Sequence, residues 1–243
     1  MNDVDISFFV ACYNEEKNIC RTLDTLLGAC RKRPEIRVEI LVIDDCSRDG
    51  SAKAVEAYLK ELRDDRVRLM VNEVNRGLGF NYIEGAFQTS GKYYRGVWGD
   101  DVEPEETFLL VLDNMGKADV IVFYETETPG KLWWRVKVSG LYTKIVNFLS
   151  GYRLRYYNGI PLYRRRDVMR WQSLHRGFAF QADLLVRILN SGATYLQVRK
   201  YAHERTEGKS TAYSLKNFLS VGHFFFELIL RRIVRILFGP KWA

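Results

Sequence analysis

Asp100 and Asp101 stand side by side behind the run KYYRGVW, and Glu103, Glu105 and Glu106 follow within seven residues. Adjacent carboxylates can hold a hard divalent cation. Mg2+ and Mn2+ favour oxygen ligands and often bind through one or two carboxylates plus the phosphates of a substrate. Asp101 and Glu103, one residue apart, point the same way from an extended segment and are the candidate metal ligands. A solvated acidic loop would have the same composition, so the place of the cluster in the fold must decide. Two further acidic pairs, Glu15/Glu16 and Asp44/Asp45, lie earlier in the chain.

The elements that must position these residues alternate in type. DISFFVAC (5–12), VEILVID (38–44), VRLMVNE (67–73), KYYRGVW (92–98) and ADVIVFY (118–124) are short runs rich in β-formers and read as strands. Helices are predicted between them: from near Glu16, from Ser51 to about Asp64, from Leu78 to Thr89, and from Pro104, where proline is favoured. Such alternation implies an α/β fold, a mostly parallel central sheet with helices on both faces. Ligands of such sheets bind beyond the carboxyl ends of the strands. All three acidic pairs fall at those ends, which favours a binding site.

Composition narrows the function. With 243 residues, 47% of them hydrophobic, the chain can bury one substantial core, and it shows no linker, repeat or low-complexity tract. The four cysteines (Cys12, Cys20, Cys30 and Cys46) have no CxxC spacing and no nearby histidine. That argues against zinc among them and for a reducing, cytosolic compartment. The opening MNDVDISFF lacks the basic region and long apolar stretch of a signal peptide. A net charge of +7, concentrated in the C-terminal half, suits an anionic substrate, a nucleic acid or a membrane surface. Nucleic acid is disfavoured, because the aromatics do not interleave with basic residues in an RNA-binding pattern. A dinucleotide fold would place GxGxxG after the first strand, whereas that turn reads ACYNEEKN, and a P-loop is also absent. Without a glycine cradle, a carboxylate-held metal is the usual means of gripping a diphosphate.

In order and spacing, FFVACYNEEKNI, ILVIDDCSRDGS and NRGLGFNYIEGAFQTSGKYYRGVWGDD resemble the successive signatures of family 2 glycosyltransferases. The resemblance implies the GT-A (nucleotide-diphospho-sugar transferase) fold. It also implies that Tyr13, Glu15 and Asp45 contact the base and ribose of a nucleotide-sugar donor. Asp100 would lie near the ribose, and Asp101 would bind the metal on the diphosphate. Glu103 matches a further ligand position of the polyprenyl-phosphate branch. Gly99 departs from the pattern, since a full DxD would begin with Asp there, and Ala11 replaces the usual proline. Asp44 is read as a cap, and Asn75 and Gly77 as turn formers.

The second half resembles the polyprenyl-phosphate glycosyltransferases, a branch that includes the dolichol-phosphate mannose synthases. WWRVKVSGLYTKIVNFLSG is predicted to form an amphipathic helix, followed by RLRYYNGIPLYRRRDV, GFAFQADLLVRILNSGATYLQV and HERTEGKST. In that branch a basic residue with a serine four positions on, and an R-x-x-G-x-S loop, surround the acceptor phosphate. Arg135 with Ser139, and Arg205 with Gly208, Lys209 and Ser210, match. YYNG stands in place of the branch's more common D-x-T-S-G-F. Arginine forks and flexible lysines suit phosphate, and a glycine admits close approach of the backbone. Asp183, in QADLL, occupies the place of the family's base-like acid. It is read as orienting the donor sugar, with general base and helix start as alternatives. A phosphate monoester, with a second pKa of ~6, is already largely dianionic and needs no base, whereas a sugar hydroxyl does.

Leu215 to Phe238 is predicted to form a helix of about 36 Å, nominally long enough to span a bilayer. Glu227, Arg231, Arg232 and Arg235 interrupt it, and a central Arg costs ~2.5–3.5 kcal/mol on insertion. His223, Glu227, Arg231 and Arg235 form a polar stripe, opposite Phe218, Phe225, Ile229, Ile233 and Ile236. Such a helix is expected to lie in a membrane interface, the alternative for its first half being that it packs on the protein itself. The expected organisation is a GT-A domain over 1–212 (donor half about 1–125, acceptor half about 126–212) and a membrane-associating amphipathic helix over 213–243. The expected activity is an inverting, Mg2+- or Mn2+-dependent transfer. A sugar would move from a GDP- or UDP-sugar to a polyprenyl (dolichyl or undecaprenyl) phosphate at the cytoplasmic face of a membrane. The alternatives are transfer to a saccharide hydroxyl with Asp183 as base, and a nucleic-acid-binding protein.

Overall fold

The computed structural model describes residues 4–125, 133–173, 175, 179–200 and 215–238. Arg205, Lys209 and Ser210 lie outside the described residues. Strands β1 (Ile6–Cys12) and β2 (Val38–Asp44) run parallel, with Cys12 level with Asp44. β3 (Val67–Val71) flanks β2, and β4 (Tyr93–Trp98) flanks β1, both parallel. β5 (Val120–Tyr124), β6 (Leu162–Arg164) and β7 (Tyr195–Arg199) complete a seven-stranded sheet in the order β3-β2-β1-β4-β6-β5-β7. Among the described strands only β6 runs antiparallel to its neighbours. The five predicted strands are present, and β6 and β7 are additions. β6 has three residues and runs straight into a helix, and β7 is an exposed edge with little apolar pattern.

The sheet is buried on both faces because its strands are apolar on both. Phe8 and Val10 of β1 enter one core, while Phe9 between them enters the other. α1 (Ile19–Arg31), α2 (Ser51–Leu62) and α4 (Glu105–Asn114) cover the first face. In α1 the buried Ile19, Leu23, Leu26, Leu27 and Cys30 recur at helical spacing. Each such leucine contributes ~1.5–3 kcal/mol of burial. Pro104 caps α4, and Glu105 and Glu106 fill its first turn, where carboxylates meet the positive end of the helix dipole. α3 (Leu78–Gln88), α5 (Trp133–Ser150), α6 (Arg165–Arg170), α7 (Phe180–Asn190) and α8 (Leu215–Phe238) supply the second face. All four cysteines are free thiols.

α8 docks on the domain through one side. Phe224 and Leu228 are buried in the second core, and Phe225 packs on Tyr142 of α5 with ring centroids 5.7 Å apart. The predicted polar stripe does not face water as a whole. Arg231 turns inward to the carboxylate of Asp183, 2.7 Å away, and also holds Glu227 at 2.6 Å. A buried carboxylate requires partners, and α8 brings one. The outward side carries the exposed apolar residues Phe226, Ile229, Leu230, Ile233, Ile236 and Leu237. Among the described residues no helix is long and apolar enough to cross a membrane.

Candidate active site

The carboxyl ends of β1, β2 and β4 are level: Cys12 pairs with Asp44, and Ala11 with Trp98. The turns leaving β1 and β2 are stitched to each other. The Asn14 amide donates to Ser47 Oγ (3.0 Å), and the Arg48 amide donates to Asn14 Oδ1 (2.8 Å). The Glu15 amide donates to Ser51 Oγ (2.8 Å), and Glu16 Oε2 accepts from the Gly50 amide (3.0 Å). Glu16 is thereby spent on the frame. The Glu15 side chain accepts from Asn18 Nδ2 at 2.8 Å, and Tyr13 stands 43% exposed beside it in sequence.

The two acids ending β2 have separate tasks. Asp44 closes its own turn, as expected of a cap, accepting from the Ser47 amide (2.9 Å) and hydroxyl (2.6 Å). Asp45 moors the NRG loop. Its Oδ1 accepts from the Arg76 amide (2.8 Å) and Asn72 Nδ2 (3.0 Å), and its Oδ2 from the Gly77 amide (2.9 Å). Its backbone carbonyl accepts from Asn75 Nδ2 (3.1 Å). Gly77 has φ +86°, the left-handed region that glycine enters without penalty. The Asp45 carboxylate thus shapes the loop.

Beyond β4, the Gly99 amide donates to the Ala11 carbonyl at 2.9 Å. A Cβ on Gly99 would lie 2.7 Å from that oxygen and 2.9 Å from Ile19 Cδ1. A side chain at this first position of the DxD pattern would therefore press against β1 and α1. Asp101 has φ +56°, a conformation Asp tolerates better than most residues, and its amide donates to Thr22 Oγ1 (3.0 Å). Its carboxylate accepts from Arg21 Nε at 2.9 Å, but Arg21 is 58% exposed, so this pair is weak. Half-buried Asp100 and Asp101 offer hard oxygen donors on one turn, a set that fits Mg2+ or Mn2+.

Glu103 is held by two cations. Arg95 donates to it through both terminal nitrogens (2.9 and 2.7 Å), and Lys200 Nζ donates to it at 2.8 Å. Arg95 is fully buried near the rings of Phe108 and Phe123, and Lys200 also lies 3.4 Å from Glu125. Burial alone would raise the Glu103 carboxyl, but the charges of Arg95 and then Lys200 prevail and hold it down at about 2. This cluster joins the middle of β4 to the residues that follow β5 and β7. Sequence reasoning took Glu103 as a partner of Asp101 and passed over Arg95. The available signal was a charged residue in the middle of an otherwise buried strand.

On α5, Arg135 and Ser139 share the less exposed stripe that continues to buried Thr143, Val146 and Ser150. Trp133 is 70% exposed, with Lys137 Nζ 4.8 Å from its ring centroid. Asp183 is fully buried. It accepts from Ser173 Oγ (2.8 Å), Arg187 Nε (3.0 Å) and Arg231 Nη1 (2.7 Å).

The level strand ends, the acid-bearing turns and the mostly parallel sheet are those of the GT-A fold of glycosyltransferases. A mannosyltransferase from Pyrobaculum calidifontis, solved in complex with GDP-Man and Mn2+, matches with a TM-score of 0.64 at 14% identity, over 100% of this chain and 74% of that one. Residues 7–174 match the family described as Glycosyl transferase family 2, and the chain belongs to that family. A dolichyl-phosphate beta-glucosyltransferase from Dictyostelium discoideum is 29% identical over 49% of this chain, an alignment that spans only 38% of the relative. A polyprenol monophosphomannose synthase from Mycolicibacterium smegmatis is 28% identical over 83% of this chain and 78% of the relative. These relatives match the polyprenyl-phosphate branch that the sequence resembles.

Proposed function

We propose that this chain transfers a sugar, with inversion, from a nucleotide sugar to a polyprenyl phosphate. The observation that carries the reading is the pair Asp100–Asp101 set at the carboxyl end of β4, level with the two interlocked turns after β1 and β2. The turns form a cleft wall for the nucleoside, with Tyr13 and Glu15 placed to meet base and ribose and Asp45 shaping the loop behind them. Asp100 lies by the ribose. A Mg2+ or Mn2+ ion held by Asp101 would neutralise charge on the leaving diphosphate. Glu103 serves the frame that keeps this turn in place.

Arg135 and Ser139, one helical turn apart, receive the acceptor phosphate, together with Arg205, Lys209 and Ser210. Positioning of a phosphate oxygen for in-line attack replaces general-base catalysis, since the acceptor is already ionised. The occupation of the Asp183 carboxylate by two arginines and a serine supports this reading over a saccharide hydroxyl acceptor, because a base must reach the proton that it removes. The outward apolar side of α8, with Trp133 and Trp134 of α5, suits attachment to the cytoplasmic face of a membrane. In this reading residues 1–212 form the catalytic domain and 213–243 its membrane-associating helix. Calorimetric titration tests the donor site. Asp101→Asn should abolish the gain in nucleotide-sugar affinity that Mg2+ or Mn2+ gives the wild type, and an undiminished gain would overturn the site.

A further inference from the structure

The chain has three histidines, and two of them meet on one carboxylate far from the acidic turn in sequence. His223 and Glu227 lie one turn apart on α8, and His175 precedes α7. Glu227 Oε2 is 3.6 Å from His175 Nε2, and Glu227 Oε1 is 3.6 Å from His223 Nδ1. The donor atoms of the three side chains all lie within 4.8 Å of one another. The imidazole rings pack edge to face, with centroids 5.3 Å apart. His175 is only 7% exposed, yet its buried Nε2 makes no hydrogen bond in this structure. A buried polar atom without a partner is costly, and this one is aimed at the carboxylate.

We propose that His175, His223 and Glu227 bind a divalent transition-metal ion of the zinc class. Two imidazoles and a carboxylate make a three-ligand set that leaves a fourth tetrahedral position for water. Imidazole selects this class over Mg2+ and Mn2+, so the site differs in kind from the carboxylates at Asp100 and Asp101. Arg187 and Arg231 stand near Glu227 at 3.8 and 2.6 Å, and Asp183 and Glu227 balance them. His223 is 64% exposed, with its Nδ1 already directed at Glu227.

The ion would fasten α8 to the segment ahead of α7. His175 itself abuts the start of α3, where a Cβ on Gly79 would come within 2.6 Å of the His175 carbonyl. α3 begins directly after the loop that Asp45 moors, so the clasp connects the amphipathic helix to the wall of the donor site.

The test is calorimetric titration of Zn2+ into the untagged, chelator-stripped full chain, with excess Mg2+ present to fill the acidic turn. One Zn2+ should bind per chain. His223→Ala, a change at an exposed position, should weaken binding at least tenfold. His223→Cys should restore it, because a thiolate is also a zinc ligand. Asp101→Asn should leave it unchanged. No saturable binding by the wild type, equal affinity in His223→Ala, or loss of binding in Asp101→Asn would each overturn the proposal.

Discussion

Arg95 grips Glu103 through two parallel hydrogen bonds of 2.9 and 2.7 Å, deep under the turn that carries Asp100 and Asp101. Removing one partner of a buried pair leaves the other charge uncompensated and costs ~3–5 kcal/mol. Glu103→Gln should therefore lower Tm by roughly 6–20 °C in a chain of this size. Scanning calorimetry checks this. An unchanged Tm with lost response to Mg2+ or Mn2+ would return Glu103 to the metal.

The same pair sets a response to acid. The Glu103 carboxyl, ordinarily near 4.5, is held at about 2 in the folded chain. Its contribution to stability is fully present above pH 4.5 and is lost as pH falls from there toward 2. The gap in urea midpoint between wild type and Glu103→Gln should narrow over that window. A gap that stays constant down to pH 3 would contradict the pairing.

Asp45 holds the amides of both Arg76 and Gly77, so Asp45→Ala should unmoor the NRG loop. The expected cost is ~1–3 kcal/mol of stability, with weaker donor binding for every nucleoside alike. If Asp45 instead reads the base, Asp45→Asn will change the preference among nucleotide sugars at unchanged stability. Thermal melts combined with a donor panel separate the two.

Gly99→Ala should cost ~1–3 kcal/mol, since its Cβ would meet the Ala11 carbonyl and Ile19. Gly99→Asp should likewise destabilise the chain and should not tighten Mn2+ binding. A stable Gly99→Asp variant with higher metal affinity would show that the turn has room for a full DxD.

The first half of the chain was largely legible because its signals are local. An apolar run followed by acids at each of three strand ends is readable from Cys12 to Glu16, Ile43 to Asp45 and Val97 to Asp101. The residues that pay for those ends were less so. Arg95, Lys200 and Glu103 are distant in sequence and meet only when β4, β5 and β7 are assembled. α8 shows the same limit. Its helical extent, Leu215–Phe238, follows from pattern, but which side turns inward depends on what it meets: Phe224 and Leu228 enter the second core, and Arg231 meets Asp183 of another helix. The carboxylate at Asp183 fitted a base-like motif by sequence, and its three donors emerge only from packing.

The acceptor is the most direct test of the proposed activity. The wild-type chain, supplied with Mg2+ or Mn2+ and a panel of GDP- and UDP-sugars, should be offered polyprenyl phosphate and free saccharides in parallel, with products read by mass spectrometry. A lipid-linked sugar phosphate is expected, formed at a rate that rises through pH about 6 as the phosphate ionises and then levels. A sugar joined to a saccharide hydroxyl, with the lipid phosphate untouched, would contradict it.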